Sequence, residues 1–294
     1  MPLHPSALVD ALRMGLGVPV AGLTPVTGGD VATAYRVDLA DGSAVFAKTH
    51  ATAPPGFFTT EAAGLRWLGA AAALPVPEVL LVSDGDADAG VPNHLVLAWI
   101  AEGRARADTD AGFGRGLAAL HATGAANFGR EDRRTTGSRG LPNEPCDTWV
   151  ACYATQRLQP LARIARDEGA LPSNAIAELE AVAARLADLG GPPEPPARLH
   201  GDLWAGNRLV DEMGASWLID PAAHGGHREF DLAMMRLFGG FGPACFHAYE
   251  EVAPLADGWR ERIALHQLAP LIVHAIKFGG SYVAAATDAI RTYR

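Results

Sequence analysis

Cysteine is scarce in this chain: three residues in 294 (Cys146, Cys152, Cys245), with no Cys-x-x-Cys pair. That excludes a disulfide framework and leaves small buried or half-buried thiols as the expected state of each. Basic residues are outnumbered, 24 Lys and Arg against 33 Asp and Glu, a formal charge of −9. A nucleic-acid surface needs clustered cations, so this balance argues against one. No apolar run approaches the eighteen or so residues of a membrane span, and Met1-Pro2-Leu3-His4-Pro5 lacks a basic-then-apolar leader. A cytoplasmic protein without membrane contact is therefore expected. Hydrophobic residues reach 49%, charged ones only 19%. Alanine inflates the first figure, but it still supports a large core and excludes global disorder. The length suits one two-lobed domain or two modest ones.

The N-terminal third reads as strand-rich. A helix is expected over 5–17, where Leu8, Leu12 and Leu16 recur at helical spacing, then a hairpin with a turn at Val26-Thr27-Gly28-Gly29-Asp30. Tyr35, Val37 and Leu39 alternate with Arg36 and Asp38, the period of a half-buried strand. Asp41-Gly42 signals a tight turn before the strand Ala44–Lys48. A helix over 58–72 follows, with Thr59 or Thr60 as its cap and Leu74-Pro75-Val76-Pro77 as its stop. Strands are expected at 78–83 and 94–100. From 110 the pattern turns helical (110–122, 147–167, 173–189, 229–237 and 258–288 with breaks), interrupted by a β segment at 198–220. No internal repeat is present, and Gly190–Pro196 is the one Gly/Pro-rich tract. The class is α+β, in two lobes.

The β segment carries the chemistry. It reads His200-Gly201-Asp202-Leu203-Trp204-Ala205-Gly206-Asn207, then an apolar run to Trp217-Leu218-Ile219-Asp220. An acid, an amide five residues on and a second acid thirteen beyond suit phosphoryl transfer: Asp202 orients the attacking hydroxyl, while Asn207 and Asp220 offer hard oxygen ligands to Mg²⁺ rather than to zinc. Gly201 permits the turn that exposes Asp202. Lys48 ends a strand, as a phosphate-gripping lysine does. Glu61 shares a helix face with Leu65 and Leu68 and needs a cationic partner there; Lys48, thirteen residues upstream, is the candidate. Gly28-Gly29-Asp30 is a weak signal for a loop covering phosphates. Gly42–Thr49 falls one residue short of a Walker A loop, and Ala-Val-Phe-Ala disfavours its positive φ angles.

Other residues read less sharply. Trp204 is either a core anchor or a stacking platform beside Asp202. His200 is expected to bond backbone near the loop. His224 and His227 sit on a glycine-rich stretch, expected at the cleft rim, with zinc a poor fit. Arg228, Glu229 and Asp231 are expected to cap and brace a helix, with Asp231 bracing the catalytic loop as the secondary reading. Met234 and Met235 read as core.

Together these residues resemble the fructosamine kinase (ketosamine 3-kinase) family, a branch of the aminoglycoside-phosphotransferase-like kinases, over nearly the whole chain. The resemblance rests on Gly28-Gly29-Asp30, Phe46-Ala47-Lys48, Glu61-Ala62-x-Gly64-Leu65, Leu95-Val96-Leu97, the 200–207 loop, Ile219-Asp220-Pro221-Ala222, Gly226–Met235 and Phe238-Gly239-Gly240-Phe241. It implies a protein-kinase-like fold, with a nucleotide-binding lobe at 1–97, a hinge at 98–102 and a catalytic and substrate-binding lobe at 103–294. It also implies ATP and Mg²⁺ as cofactors and phosphorylation of the 3-hydroxyl of a ketoamine, a deglycation repair. In that reading Asp202 accepts the proton, Asn207 and Asp220 hold magnesium, and Lys48, Glu61, Gly28, Gly29 and Asp30 serve the phosphates. Backbone at Ala98, Trp99 and Ile100 meets adenine, and Trp204 and His227 meet substrate. Ala98 stands where the family commonly has an acid, and the 130–146 stretch departs from the family's loop. A monomer is expected. The alternatives are a related aminoglycoside- or choline-type kinase and a non-catalytic nucleotide-binding module.

Overall fold

The computed structural model describes residues 5–27, 32–86, 90–130, 135–136 and 140–294. The hairpin turn at Gly28, Gly29 and Asp30 lies outside them. The small lobe is a five-stranded antiparallel sheet, β1 (Val20–Val26), β2 (Thr33–Leu39), β3 (Ala44–Thr49), β4 (Val79–Ser83) and β5 (His94–Ala98), in the order β1-β2-β3-β5-β4. Helix α1 (Pro5–Leu16) seals one face, its Leu8 and Leu12 packing with Val37, Leu39, Val45 and Val96. Helix α2 (Phe57–Gly69) seals the other with Phe58, Ala62 and Leu65 against Leu95 and Leu97. Alternation at Val37 and Leu39 survives folding because one sheet face is buried by each helix.

Lys48 lies on β3 opposite Ala34 of β2 and Leu95 of β5, an interior strand rather than an edge. Helix α2 starts earlier than its threonines suggest. Gly56 at φ 80° precedes Phe57, and the Thr59 hydroxyl donates to the Asp84 carboxylate at 2.8 Å instead of capping. A left-handed residue at that position favours glycine, which explains the displaced start.

The large lobe is mainly helical: α3 (Thr109–Ala122), α4 (Trp149–Tyr153) running through a π-helical turn (Ala154–Leu158) into α5 (Gln159–Asp167), then α6 (Ser173–Ala184) and α7 (Leu186–Leu189). The last helices are α8 (Glu229–Phe238), α9 (Pro243–Val252), α10 (Ile263–Phe278) and α11 (Ser281–Arg291). Two-residue strands β6 (Thr135–Thr136) and β7 (Leu141–Pro142) pair before α4. The β segment forms two small ribbons: β8 (Ala197–Leu199) pairs with β11 (His224–Gly226), and β9 (Arg208–Val210) pairs with β10 (Ser216–Leu218). The connector after β5 is stapled to the second ribbon, since Gly103 N–H donates to the Val210 carbonyl at 2.8 Å. Pro270 lies inside α10 and leaves the His266 carbonyl without its helical donor; the Tyr153 hydroxyl, which donates to the neighbouring Leu265 carbonyl at 2.8 Å, lies 3.3 Å from it.

Two apolar clusters fill this lobe. Leu158, Leu161, Leu179, Leu268 and Ile290 centre the first, while Phe113, Leu117, Leu203, Leu232 and Tyr249 centre the second. The second lies under the 200–207 loop and fixes it from below through fully buried Leu203, a burial worth about 2 kcal/mol.

His224 and His227 correct the expectation of a cleft rim. His224 is in β11 and 7% exposed; His227 is 3% exposed and stacks near Trp149 and His266 with centroids 5.3 and 5.0 Å away. A three-residue strand with two glycines has no periodicity to announce it. Burial, with the charges of Arg157 and His266 nearby, pulls both histidines down to about 4 from 6.5. Below the free value the unfolded chain takes up protons that the folded chain refuses, so stability falls as pH drops from 6.5 toward 4. The loss at pH 5 is about 2 kcal/mol per histidine. Urea unfolding near pH 7.5 and pH 5 should show it, and His227→Gln should remove only part of the pH dependence, the rest staying with His224 and with His266, which burial also pulls down. An unfolding free energy flat across that range would contradict the assignment.

Candidate active site

Lys48 joins the two lobes. Its ammonium donates to Glu61 Oε1 on α2 at 2.7 Å and to Asp220 Oδ1, 172 residues away in sequence. The Lys48 side chain is 9% exposed and that of Glu61 14%, whereas Asp220 keeps 38%. Burial works against the lysine's charge, but the two carboxylates outweigh it and hold the ammonium firmly protonated. Burial also pushes the Glu61 carboxyl up, opposed by Lys48 and assisted by the facing Asp220. Two acids share one cation, so the cluster carries a negative charge in excess, with its exposed member turned toward the cleft. Asp220 itself sits at φ 53°, a left-handed conformation that costs an ordinary residue about 1 kcal/mol or more.

The loop after β8 holds the second half of the site. Gly201 at φ 82° makes the turn, and a Cβ there would lie 2.1 Å from the Ala222 carbonyl oxygen. Asp231, wholly buried on α8, accepts the His200 and Gly201 amides at 2.7 and 2.9 Å. Burial would raise its carboxyl, but the hydrogen bond and charge of His121 and the Gly201 amide bring it below the ordinary value. Bracing the loop is thus the role of Asp231, and helix capping is not. Arg228 pairs with Glu194 and Glu229 with Arg262 at 2.5 Å, so neither caps α8. His200 donates to the Ile219 carbonyl at 2.8 Å and accepts the Asp202 amide at 3.2 Å, tying the first ribbon to the strand that delivers Asp220.

Asn207 Nδ2 donates to the Asp202 carbonyl (2.8 Å) and carboxylate (3.1 Å). With its nitrogen committed, the amide oxygen is the atom left for a cation. Asp202 is half-buried. Its carboxyl is raised, first by burial and also by Asp220, against the lowering influence of His200, Asn207 and His274. Trp204 is 41% exposed; its ring folds over Gly206, where a Cβ would fall 2.2 Å from the indole, and meets Phe238 edge-on at 6.3 Å. That exposure favours the platform reading over the core anchor. The Asn207 oxygen and the Asp220 carboxylate, the latter paired with Lys48, are hard donors of the kind that fit a magnesium-bound triphosphate.

The fold therefore brings Lys48, Glu61 and Asp220 into one cluster and Asp202 and Asn207 into another, the two linked through His200 and Ile219. Ala98 ends β5 opposite Val45, and Trp99, half-buried, lies under the Arg36 guanidinium at 4.9 Å; Ile100 follows, also half-buried. Gly28, Gly29 and Asp30 fall outside the described residues. His227 is not brought to the site surface. It belongs to a buried group with Glu229 and His266 whose ligating atoms lie within 4.8 Å of one another. Arg262 already forks both oxygens of Glu229, so the group is an internal ion pair and offers a metal little. Sequence reasoning missed His274. Its Nδ1 donates to the Pro270 carbonyl at 2.8 Å, and its ring packs near Phe238 and Tyr282, both at 5.0 Å. On an apolar helix it reads as core, and only its contact with Phe238, which also meets Trp204, places it near the loop.

A small antiparallel sheet bearing an ion-paired lysine, joined to a helical lobe bearing this loop, defines the protein-kinase-like phosphotransferases. An aminoglycoside phosphotransferase solved with ADP and hygromycin B shares the fold, with a TM-score of 0.64 over 97% of this chain and 98% of that one at 18% identity. A family model described as Fructosamine kinase matches residues 9–294, and the chain belongs to that family. A protein named a probable ketoamine kinase in Synechocystis sp. is 34% identical over 90% of this chain and 88% of its own. Its counterpart by name in Enterococcus faecium is 32% identical over 88% and 90%. A crystal structure from Thermobifida fusca, provisionally named a fructosamine-3-kinase, has 41% identity and a TM-score of 0.88, covering 97% of this chain and 98% of that one.

Loop geometry makes a direct prediction. Gly201→Ala should cost about 2 kcal/mol or more, from the left-handed backbone and the contact with Ala222. Gly112→Ala, inside α3 with open space around it, should instead stabilise by about 0.5–1 kcal/mol. Chemical denaturation of both variants checks the pair; equal effects would contradict the constraint at Gly201.

Proposed function

We propose that the protein is an ATP-dependent ketosamine kinase, phosphorylating the 3-hydroxyl of ketoamines, the sugar adducts that glycation leaves on amines or protein lysines. The carrying observation is the Lys48 ammonium held between Glu61 and Asp220 beside the Asp202–Asn207 loop. Family membership supports the substrate class. In this reading residues 1–97 form the nucleotide lobe, 98–102 the hinge and 103–294 the catalytic lobe. Backbone at Ala98–Ile100 receives adenine, and the Gly28-Gly29-Asp30 segment covers the phosphates. No helix among the described residues is long and apolar enough to cross a membrane, and a cytoplasmic site of action is part of the proposal.

Asp202 orients the acceptor hydroxyl and takes its proton as the bond to phosphorus forms; its raised carboxyl makes it a better base than an exposed aspartate. Asn207 and Asp220 would hold magnesium, which would supply neutralisation of the phosphate charge. Lys48 steadies the phosphates, and Glu61 fixes Lys48 in place. Trp204 and His274 form the wall against which the sugar rests. Product loses its sugar by its own chemistry, which is what makes the reaction a repair.

Asp202→Asn should lower turnover about 10²–10⁴-fold while MgATP binding persists. Lys48→Met should lower kcat/KM for ATP by about one to three orders of magnitude. The test is ADP release with a panel of fructosamine-, ribulosamine- and erythrulosamine-lysines set against aminoglycosides and choline. Turnover with a ketoamine supports the reading. Turnover only with another acceptor, or MgATP binding with none, would overturn it in favour of a different kinase or a non-catalytic module.

A further inference from the structure

A cleft with about 300 Å³ of free volume opens between the end of α8, the start of α9 and the segment leading into α10; Arg236, Phe241, Phe246, His247, Glu250 and Arg260 line it. Arg236 is exposed yet fixed, its guanidinium 4.1 Å from the Phe246 centroid and 5.1 Å from that of Trp259. Arg260 lies over the same Trp259 ring at 5.1 Å. Arg236 has no ion pair or hydrogen bond among the described residues. Arg260 reaches Glu250 only at 3.5 Å, across an exposed pair, and His247 is turned to Glu251 at 3.4 Å. Partial burial and the charge of Arg260 weigh against the cation on Arg236, and the Glu250 carboxylate partly offsets them.

Two guanidiniums over the same indole, with Glu250 the one carboxylate lining the cleft, leave a net positive pair suited to a tetrahedral oxyanion. Stacking on rings limits the side-chain freedom lost on binding. The cleft is larger than a bare phosphate needs, and Phe241 and Phe246 offer an apolar wall to whatever the anion is attached to. We propose that this cleft binds a small organic phosphomonoester, its phosphoryl oxygens held by Arg236 and Arg260 and its organic part against Phe241 and Phe246. Neither arginine belongs to the catalytic cluster, so the site is separate from the nucleotide cleft.

Calorimetric titration of the full chain with phenyl phosphate and with inorganic phosphate tests it. Wild type should bind phenyl phosphate saturably and more tightly than inorganic phosphate. Arg236→Met, which keeps an apolar stem over the rings, should weaken that binding about tenfold or more, and Arg236→Lys should retain part of it, both variants melting like wild type. Equal affinity in wild type and Arg236→Met overturns the proposal, as does absence of saturable binding. A loss produced by Lys48→Met but not by Arg236→Met places the anion in the nucleotide cleft and also overturns it. Tighter binding of inorganic phosphate overturns the organic component.

Discussion

The lysine that bridges the lobes sets the terms for everything around it. An ammonium and a carboxylate withdrawn from water are tolerated only when paired, and removing one member of such a pair costs about 3–5 kcal/mol. Glu61 reaches Lys48 from α2, within the small lobe; Asp220 reaches it from the far end of β10. The small sheet and the catalytic ribbon are therefore held in one register by a charge interaction. The surplus negative charge sits on the more exposed acid, where a cation can meet it. The three side chains that join the lobes are the ones proposed to serve the phosphates and magnesium.

Helix α8 is the second organising element. Asp231, in its first turn, holds the amides of His200 and Gly201, and is itself held by His121, whose other ring nitrogen meets the Tyr249 hydroxyl at 2.8 Å. That chain of buried polar groups fixes the loop carrying Asp202 from behind, so Asp202 faces the cleft without supporting its own backbone. The loop after α8 returns to the same place: Gly240 approaches Ala205 so closely that a Cβ would fall 2.2 Å away. Further along, the Gly242 amide donates to Asp110, which pairs with Arg208 next to Asn207.

Much of this was legible in the residues. The Lys48–Glu61 pair follows from a carboxylate on the apolar face of a helix, because that burial demands a cation. The spacing of Asp202, Asn207 and Asp220 carries the loop, and the alternation at Val37 and Leu39 carries the sheet. What escaped has local physical causes. β11 is three residues with two glycines, too short for any period. Helix α9 (Pro243–Val252) begins after a Gly-Gly-Phe-Gly stretch that reads as loop. Asp231 looks like a cap because acids favour first turns, and only tertiary contact turns it to the loop. His227 looks available beside glycines until Trp149 and His266 close over it. His274 is hidden in an apolar helix, since periodicity cannot separate a core histidine from one packed beside the loop's neighbour Phe238.

A crystal structure with Mg²⁺ and a non-hydrolysable ATP analogue tests the central claim most directly. The account predicts magnesium on the Asn207 amide oxygen and the Asp220 carboxylate, with the Lys48 ammonium on the phosphates and still paired to Glu61. Nucleotide bound elsewhere, or a triphosphate in the cleft with Lys48 turned away from it, would contradict the account.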